Sequence, residues 1–142
     1  MAPPGLPGPG AGAFSNADEI AAQLQARAAR ALPAAISVVR HYAMLLETQI
    51  KANASGRPGP NAPTGDYRRS WTNEVHVTGE AVTGIVGTAK PQGRRLEYGY
   101  VGPDSLGRVY AQPPYAHVGP AVELVGPLFR AALGRVADGH SV

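Results

Sequence analysis

The stretch Ala62-Pro63-Thr64-Gly65-Asp66-Tyr67-Arg68-Arg69-Ser70-Trp71 joins a helical first half to a strand-rich second half. Pro63 fixes its own φ and biases Ala62 toward an extended backbone. Thr64 is a small polar turn residue, and Gly65 enters the left-handed region without the penalty a Cβ brings. The stretch therefore reads as a structural turn at Pro63 and Gly65 that opens a strand. Arg68 and Arg69 stand at the strand's start, with the lone Trp71 just inside it. Residues 70–78 then alternate, with Trp71, Asn73, Val75 and Val77 on one face and Thr72, Glu74, His76 and Thr78 on the other. Thr78-Gly79-Glu80 is a hairpin turn and Val82–Val86 the returning strand, with Gly84 and Gly87 as weak points or bulges.

Upstream, Ser15 or Asn16 is placed to cap a helix whose first turn carries Asp18 and Glu19. Pro33 divides the pattern into a first helix of about 17–31 and a second over 34–52, a single kinked helix being the other reading. Ile36, Val39, Ala43, Leu46 and Ile50 form one apolar stripe along the second helix, and Val38, Met44 and Leu45 widen it. Such width suits either a broad core face or a helix between a sheet and another subunit. Downstream, Leu96–Tyr100 and Arg108–Ala111 are short strand candidates joined through Gly102-Pro103-Asp104. Pro120 starts a last helix with Val122, Val125, Phe129, Ala132, Leu133 and Val136 on one face, and Pro127 kinks it or splits off its first turn. The fold class is α+β: N-terminal helices and a C-terminal helix packed on a small, mainly antiparallel sheet, with long Gly/Pro-rich loops. The expected organisation is a flexible Gly/Pro/Ala-rich arm at 1–14, a single α+β domain at 15–138 and a flexible C-terminus at 139–142.

A chain of 142 residues makes one domain. Its 18 glycines and 14 prolines point to a modest core with long irregular segments, which partners often order. With no cysteine there is no disulfide framework and no thiolate metal site, which fits a reducing cytoplasm. No apolar run reaches the roughly 20 residues a membrane helix needs. No Lys or Arg precedes Arg27, so the charged start of a signal peptide is missing.

No catalytic constellation stands out. Ser70 lacks a nucleophile elbow, and His41, His76, His117 and His140 show no metal-ligand spacing. Gly56-Arg57-Pro58-Gly59-Pro60 is no phosphate cradle, because each proline removes an N–H that a phosphate would need. No cofactor is expected. The candidates left are basic pairs, Arg68-Arg69 and Arg94-Arg95, the second just ahead of Glu97 and Tyr98. If each pair stands in or before a strand, its members point to opposite faces. They then hold Asp66, Glu74 or Glu97 within the fold, cross a subunit interface where arginine is enriched, or contact phosphates. The net charge is +3 and only two of the 13 basic residues are lysine, a thinner basic face than nucleic-acid binders show.

The order of these pieces resembles one family, the small head–tail joining proteins of long-tailed bacteriophages, also called neck or tail-completion proteins. The resemblance rests on Ala62-Pro63-Thr64-Gly65-Asp66-Tyr67-Arg68-Arg69-Ser70, on Gln92-Gly93-Arg94-Arg95-Leu96-Glu97-Tyr98-Gly99, on Pro113-Pro114-Tyr115 and on Gly119-Pro120-Ala121-Val122. The chain departs from the pattern in lacking a leading Tyr-Ala before the second element and in carrying extra sequence around 100–119. The resemblance implies an assembly part and not an enzyme. It implies a homo-oligomeric ring, hexameric before dodecameric, at the virion's head–tail junction, assembled in the host bacterial cytoplasm. Partners would be head-side connector proteins and tail terminator or tail tube proteins, with DNA passing through the lumen unread and no membrane involved. Arg68, Arg69, Trp71, Arg94, Arg95 and Tyr98 are the interface candidates. The competing readings are a tail terminator and, from another class, a basic nucleic-acid-binding module, with a small hydrolase behind them.

Overall fold

The computed structural model describes residues 11–139, with side chains from residue 16 onward. Helix α1 (Ala11–Asn53) is a single helix that runs through Pro33. The two-helix expectation therefore gives way to the one-helix reading. A proline inside a helix costs about 3 kcal/mol through one lost hydrogen bond and a clash. Tertiary contact on both sides of it offsets that cost. Leu133 and Val136 share a cleft with the α1 residues from Arg27 to Ala35, and Arg27 Nη2 donates to the Ala137 carbonyl at 3.4 Å. Residues 11–14, expected in the arm, belong to this helix, while residues 1–10 and 140–142 lie outside the described residues.

The apolar stripe of α1 does face the body. Val39, Ala43 and Ile50 are buried, Leu46 packs on the core, and Ile36 is half-buried. Val38 beside the stripe is also buried, whereas Met44 is 55% exposed. The main core joins Ile50 and Ala54 to Tyr67, Trp71 and Ala121, with Leu96 and Val118 against them.

The decisive stretch contains a correction. Asp66–Arg69 form a one-turn helix, α2, and not the start of a strand. Gly65 caps it at φ 78°, and the Arg69 amide returns to the Gly65 carbonyl at 2.9 Å. Strand β1 (Trp71–Thr78) follows and pairs antiparallel with β2 (Ala81–Thr88), from Trp71 opposite Thr88 to Thr78 opposite Ala81. The register is continuous, so Gly84 marks no bulge. A Cβ there would stand 3.0 Å from Val39 Cγ1, so the missing side chain lets the hairpin lie close on α1.

The second half holds two further corrections. Gln92–Tyr98 is helix α3, so Leu96 and Glu97 sit on a helix and not on a strand. Strands β3 (Tyr100–Pro103) and β4 (Val109–Gln112) make a separate hairpin, so the expected single sheet is two two-stranded sheets. Helix α4 (Val118–Ala137) begins ahead of Pro120, with His117 as N-cap. Pro120 falls in the first turn, where its missing N–H is no loss, and Pro127 leaves the helix unbroken. Helices α1 and α4 pack together, and the β1–β2 hairpin lies on α1. The fold is α+β.

Candidate functional site

The polar centre of the molecule is a residue that sequence reasoning passed over. His117 is fully buried among Tyr67, Trp71 and Glu97. Its Nδ1 lies 2.9 Å from the Tyr115 carbonyl, which only accepts, so in the neutral ring Nδ1 carries the proton. Nε2 then accepts from the Tyr67 hydroxyl at 2.7 Å. Burial pushes the Tyr67 hydroxyl above its ordinary pKa, and the nearby Glu97 charge adds to the effect. Tyr67 and Trp71 each meet the imidazole edge-on, and the buried Trp71 Nε1 has no hydrogen-bond partner among the described residues.

Glu97 is the second finding. One carboxylate oxygen accepts the amides of His117 and Val118 at 2.8 and 2.9 Å, and the other accepts Gly119 at 2.8 Å. These are the first orphan donors of α4, so a side chain on α3 caps a helix more than 20 residues away. Burial alone would raise the Glu97 pKa, but the three amides outweigh it and hold the carboxyl below its ordinary value. This corrects the expectation that Glu97 pairs with Arg94 or Arg95. The helix it caps has no acid of its own in its first turn, and the cap comes instead from Glu97.

Hydroxyl, imidazole and carboxylate here follow the order of a nucleophile, its base and an orienting acid. The arrangement is sealed: the His117 side chain has no exposure and that of Glu97 only 10%. Each group spends its hydrogen bonds on holding α2, α3 and α4 together. Ser70 is also structural, its hydroxyl tied to the Tyr67 carbonyl and to Thr88 Oγ1. Among the described residues no group of three or more acids and histidines is placed to hold a metal ion, and no helix is long and apolar enough to cross a membrane.

The basic pairs are placed differently from a strand's alternation. Both guanidinium groups of Arg68 and Arg69 reach over Gly65, within 3.1 Å of where a Cβ would stand. Arg69 pairs with Asp66 at 2.6 Å and Arg68 donates to Ser55 Oγ at 3.1 Å. Glu74 is held by His76 and not by arginine. Arg94 is exposed, Arg95 lies 3.9 Å over the Tyr100 ring, and Tyr98 is 76% exposed. Trp71 is in the core and only 6% exposed. Thus Arg94, Arg95 and Tyr98 share α3, Arg68 and Arg69 share the corner, and the two groups are tied through the buried cluster.

Two apolar features remain uncovered. A groove of about 550 Å³ runs between α1, β2 and α4, lined by residues such as Val39, Leu46, Val82, Val86, Val122 and Phe129. The β3–β4 hairpin and the outer side of α4 expose Val101, Val109, Leu106, Leu124 and Leu128.

A protein-family model described as "Bacteriophage HK97-gp10, putative tail-component" matches residues 17–99. The chain belongs to this HK97-gp10-like family of phage tail components, in keeping with the head–tail joining resemblance of its motifs. The match takes in α1, the corner, the β1–β2 hairpin and α3 with Glu97. Nothing matches among curated proteins or among solved structures.

Proposed function

We propose that the chain is a structural neck or tail-completion protein that forms a ring and joins the DNA-filled head to the tail. Family membership supports the tail-associated role. The observation that carries the ring is the pairing of an open apolar groove with a differently shaped apolar hairpin on the same chain. Such unlike surfaces suit heterologous, head-to-tail contacts, which generate a ring where the rotation between copies closes. A structural role in place of an enzymatic one is supported by the Tyr67–His117–Glu97 cluster, whose polar groups serve the fold. Head-side connector proteins and tail tube or tail terminator proteins are the neighbours in this reading, and Arg94, Arg95 and Tyr98 are the residues on α3 placed to meet them.

The test is a phage carrying a stop codon in this gene. Filled heads and finished free tails should accumulate, and purified protein should join them. Tails of irregular length would instead mark a tail terminator. Normal virions would end the proposal. Reversing Arg94 and Arg95 to Glu together should leave the circular dichroism unchanged and impair joining. If joining persists while DNA binding is lost with a steep salt slope, the nucleic-acid reading replaces this one.

A further inference from the structure

We propose that the outer face of the β3–β4 hairpin of one copy seats in the α1–β2–α4 groove of the next copy around the ring; this rests on the ring reading above. The register sets Val101 opposite Ala111 and Pro103 opposite Val109. Directly opposed residues, and residues two apart, share a face. Val101, Pro103, Val109 and Ala111 therefore form one face with no polar side chain, and all four are exposed. Val101 and Val109 are 77% and 78% exposed, and Leu106 at the turn is 74% exposed. The opposite face carries Tyr100, Tyr110 and Gln112, is half-buried, and holds Tyr100 under the Arg95 guanidinium. The polar and aromatic face thus turns inward and the apolar face outward, the reverse of what water selects in an antiparallel sheet. A two-stranded hairpin alone is marginal in water, so this face needs a cover.

The groove offers one. It is mainly apolar, with Tyr42, Thr83 and Arg130 among its lining, and β2 borders it with an edge that no described strand pairs. No residue of the hairpin lines the groove of its own chain. Its base is clasped by Tyr115 N to Leu96 O at 2.7 Å and by Gln112 Nε2 to Arg95 O at 3.2 Å. The occupant is therefore a second copy. Contact area says how the copies behave. A lasting pairwise contact removes about 800 Å² from each partner. Two strands about 13 Å long and about 5 Å apart cover much less than that. A pair of copies is thus weak, and the contact holds by repetition, since each copy in a closed ring makes it twice.

The absence of cysteine makes the contact directly testable, because every introduced thiol is unique. Chains carrying Val109→Cys are mixed with chains carrying Val122→Cys and oxidised gently. Glu74→Cys, on the face of β1 away from Trp71 and Asn73, replaces Val122→Cys in the control. The proposal expects the first mixture to form disulfide heterodimer at least tenfold faster than the control. Adding Val101→Asp to the Val109→Cys chain should abolish that advantage with the circular dichroism unchanged. A chain bearing both Val109→Cys and Val122→Cys should give a ladder that ends in a closed ring. Equal rates in the two mixtures, with rings still present by native mass spectrometry, would overturn the contact and leave the ring reading standing. Rapid, concentration-independent crosslinking within single chains would place the hairpin in its own groove and also overturn it. Monomers at every concentration, with no rescue of a phage lacking the gene, would remove the ring reading and the contact together.

Discussion

Replacing Glu97 by glutamine keeps the side chain's shape and removes one charge from the N-terminus of α4. Three backbone amides lose a carboxylate, and the new amide group turns its own donors toward at least one of them. Losing an N-cap costs about 0.5–2 kcal/mol, and hydrogen bonds to a charged group contribute about 1.5–3 kcal/mol. Because the three amides share one carboxylate, their contributions overlap, and the expected loss is about 2–4 kcal/mol. For a chain of this size that lowers the melting temperature by about 10 °C. The pH dependence follows from the lowered folded-state pKa. The stabilisation is fully present above the ordinary value of 4.5 and is lost as pH falls through the lower folded value. Urea midpoints of both proteins should therefore differ widely at pH 7 and converge at strongly acid pH, where Glu97 is neutral. Hydrogen exchange at His117, Val118 and Gly119 should quicken in the variant at pH 7. Equal midpoints at pH 7, or a gap that persists into acid, would refute the cap.

Three further outcomes follow from the same structure. Gly65→Val forces a β-branched side chain to φ 78° and against the Arg68 and Arg69 guanidinium groups, so it should cost about 1–3 kcal/mol by urea melt and give soluble protein that joins heads to tails poorly; a normal plaque yield would argue against any part for this corner in assembly. Ile50→Ala empties a site that is 1% exposed and should cost about 2–5 kcal/mol, read as a lowered denaturation midpoint. Tyr67→Phe leaves His117 Nε2 buried without its donor and should cost about 1–3 kcal/mol; an unchanged midpoint would mean that the hydroxyl contributes nothing.

Much of this fold could be read in advance where the pattern is long or the turn chemistry strict. The stripe from Ile36 to Ile50, the left-handed Gly65 and the Gly79-Glu80 hairpin turn are local signals, and the structure carries each of them. The failures were short elements. Asp66–Arg69 and Gln92–Tyr98 are too brief to show a helical period, and tertiary contacts hold them: Ser70 to Thr88 for α2, Tyr115 to Leu96 for α3. In sequence Pro33 shows only its local cost, while the offsetting contact with α4 comes from a segment far along the chain, as between Arg27 and Ala137. Glu97 and His117 were missed for the same reason, since nothing near either in sequence shows that a helix start and a tyrosine hydroxyl will meet them.

The clasp at the base of the β3–β4 hairpin has one more consequence. Leu96 and Tyr115, where the chain leaves and rejoins the body, are hydrogen-bonded to each other, and Glu97 ties the two sides again through α4. The covalent link through the hairpin is thus redundant for holding the halves together. A protease nick between Ser105 and Gly107 should yield two fragments that co-purify and melt as one unit. The same closed base makes this tip the natural point for genetic insertion, so a reporter or an exchanged hairpin placed there would leave the body intact and alter only what the next molecule meets.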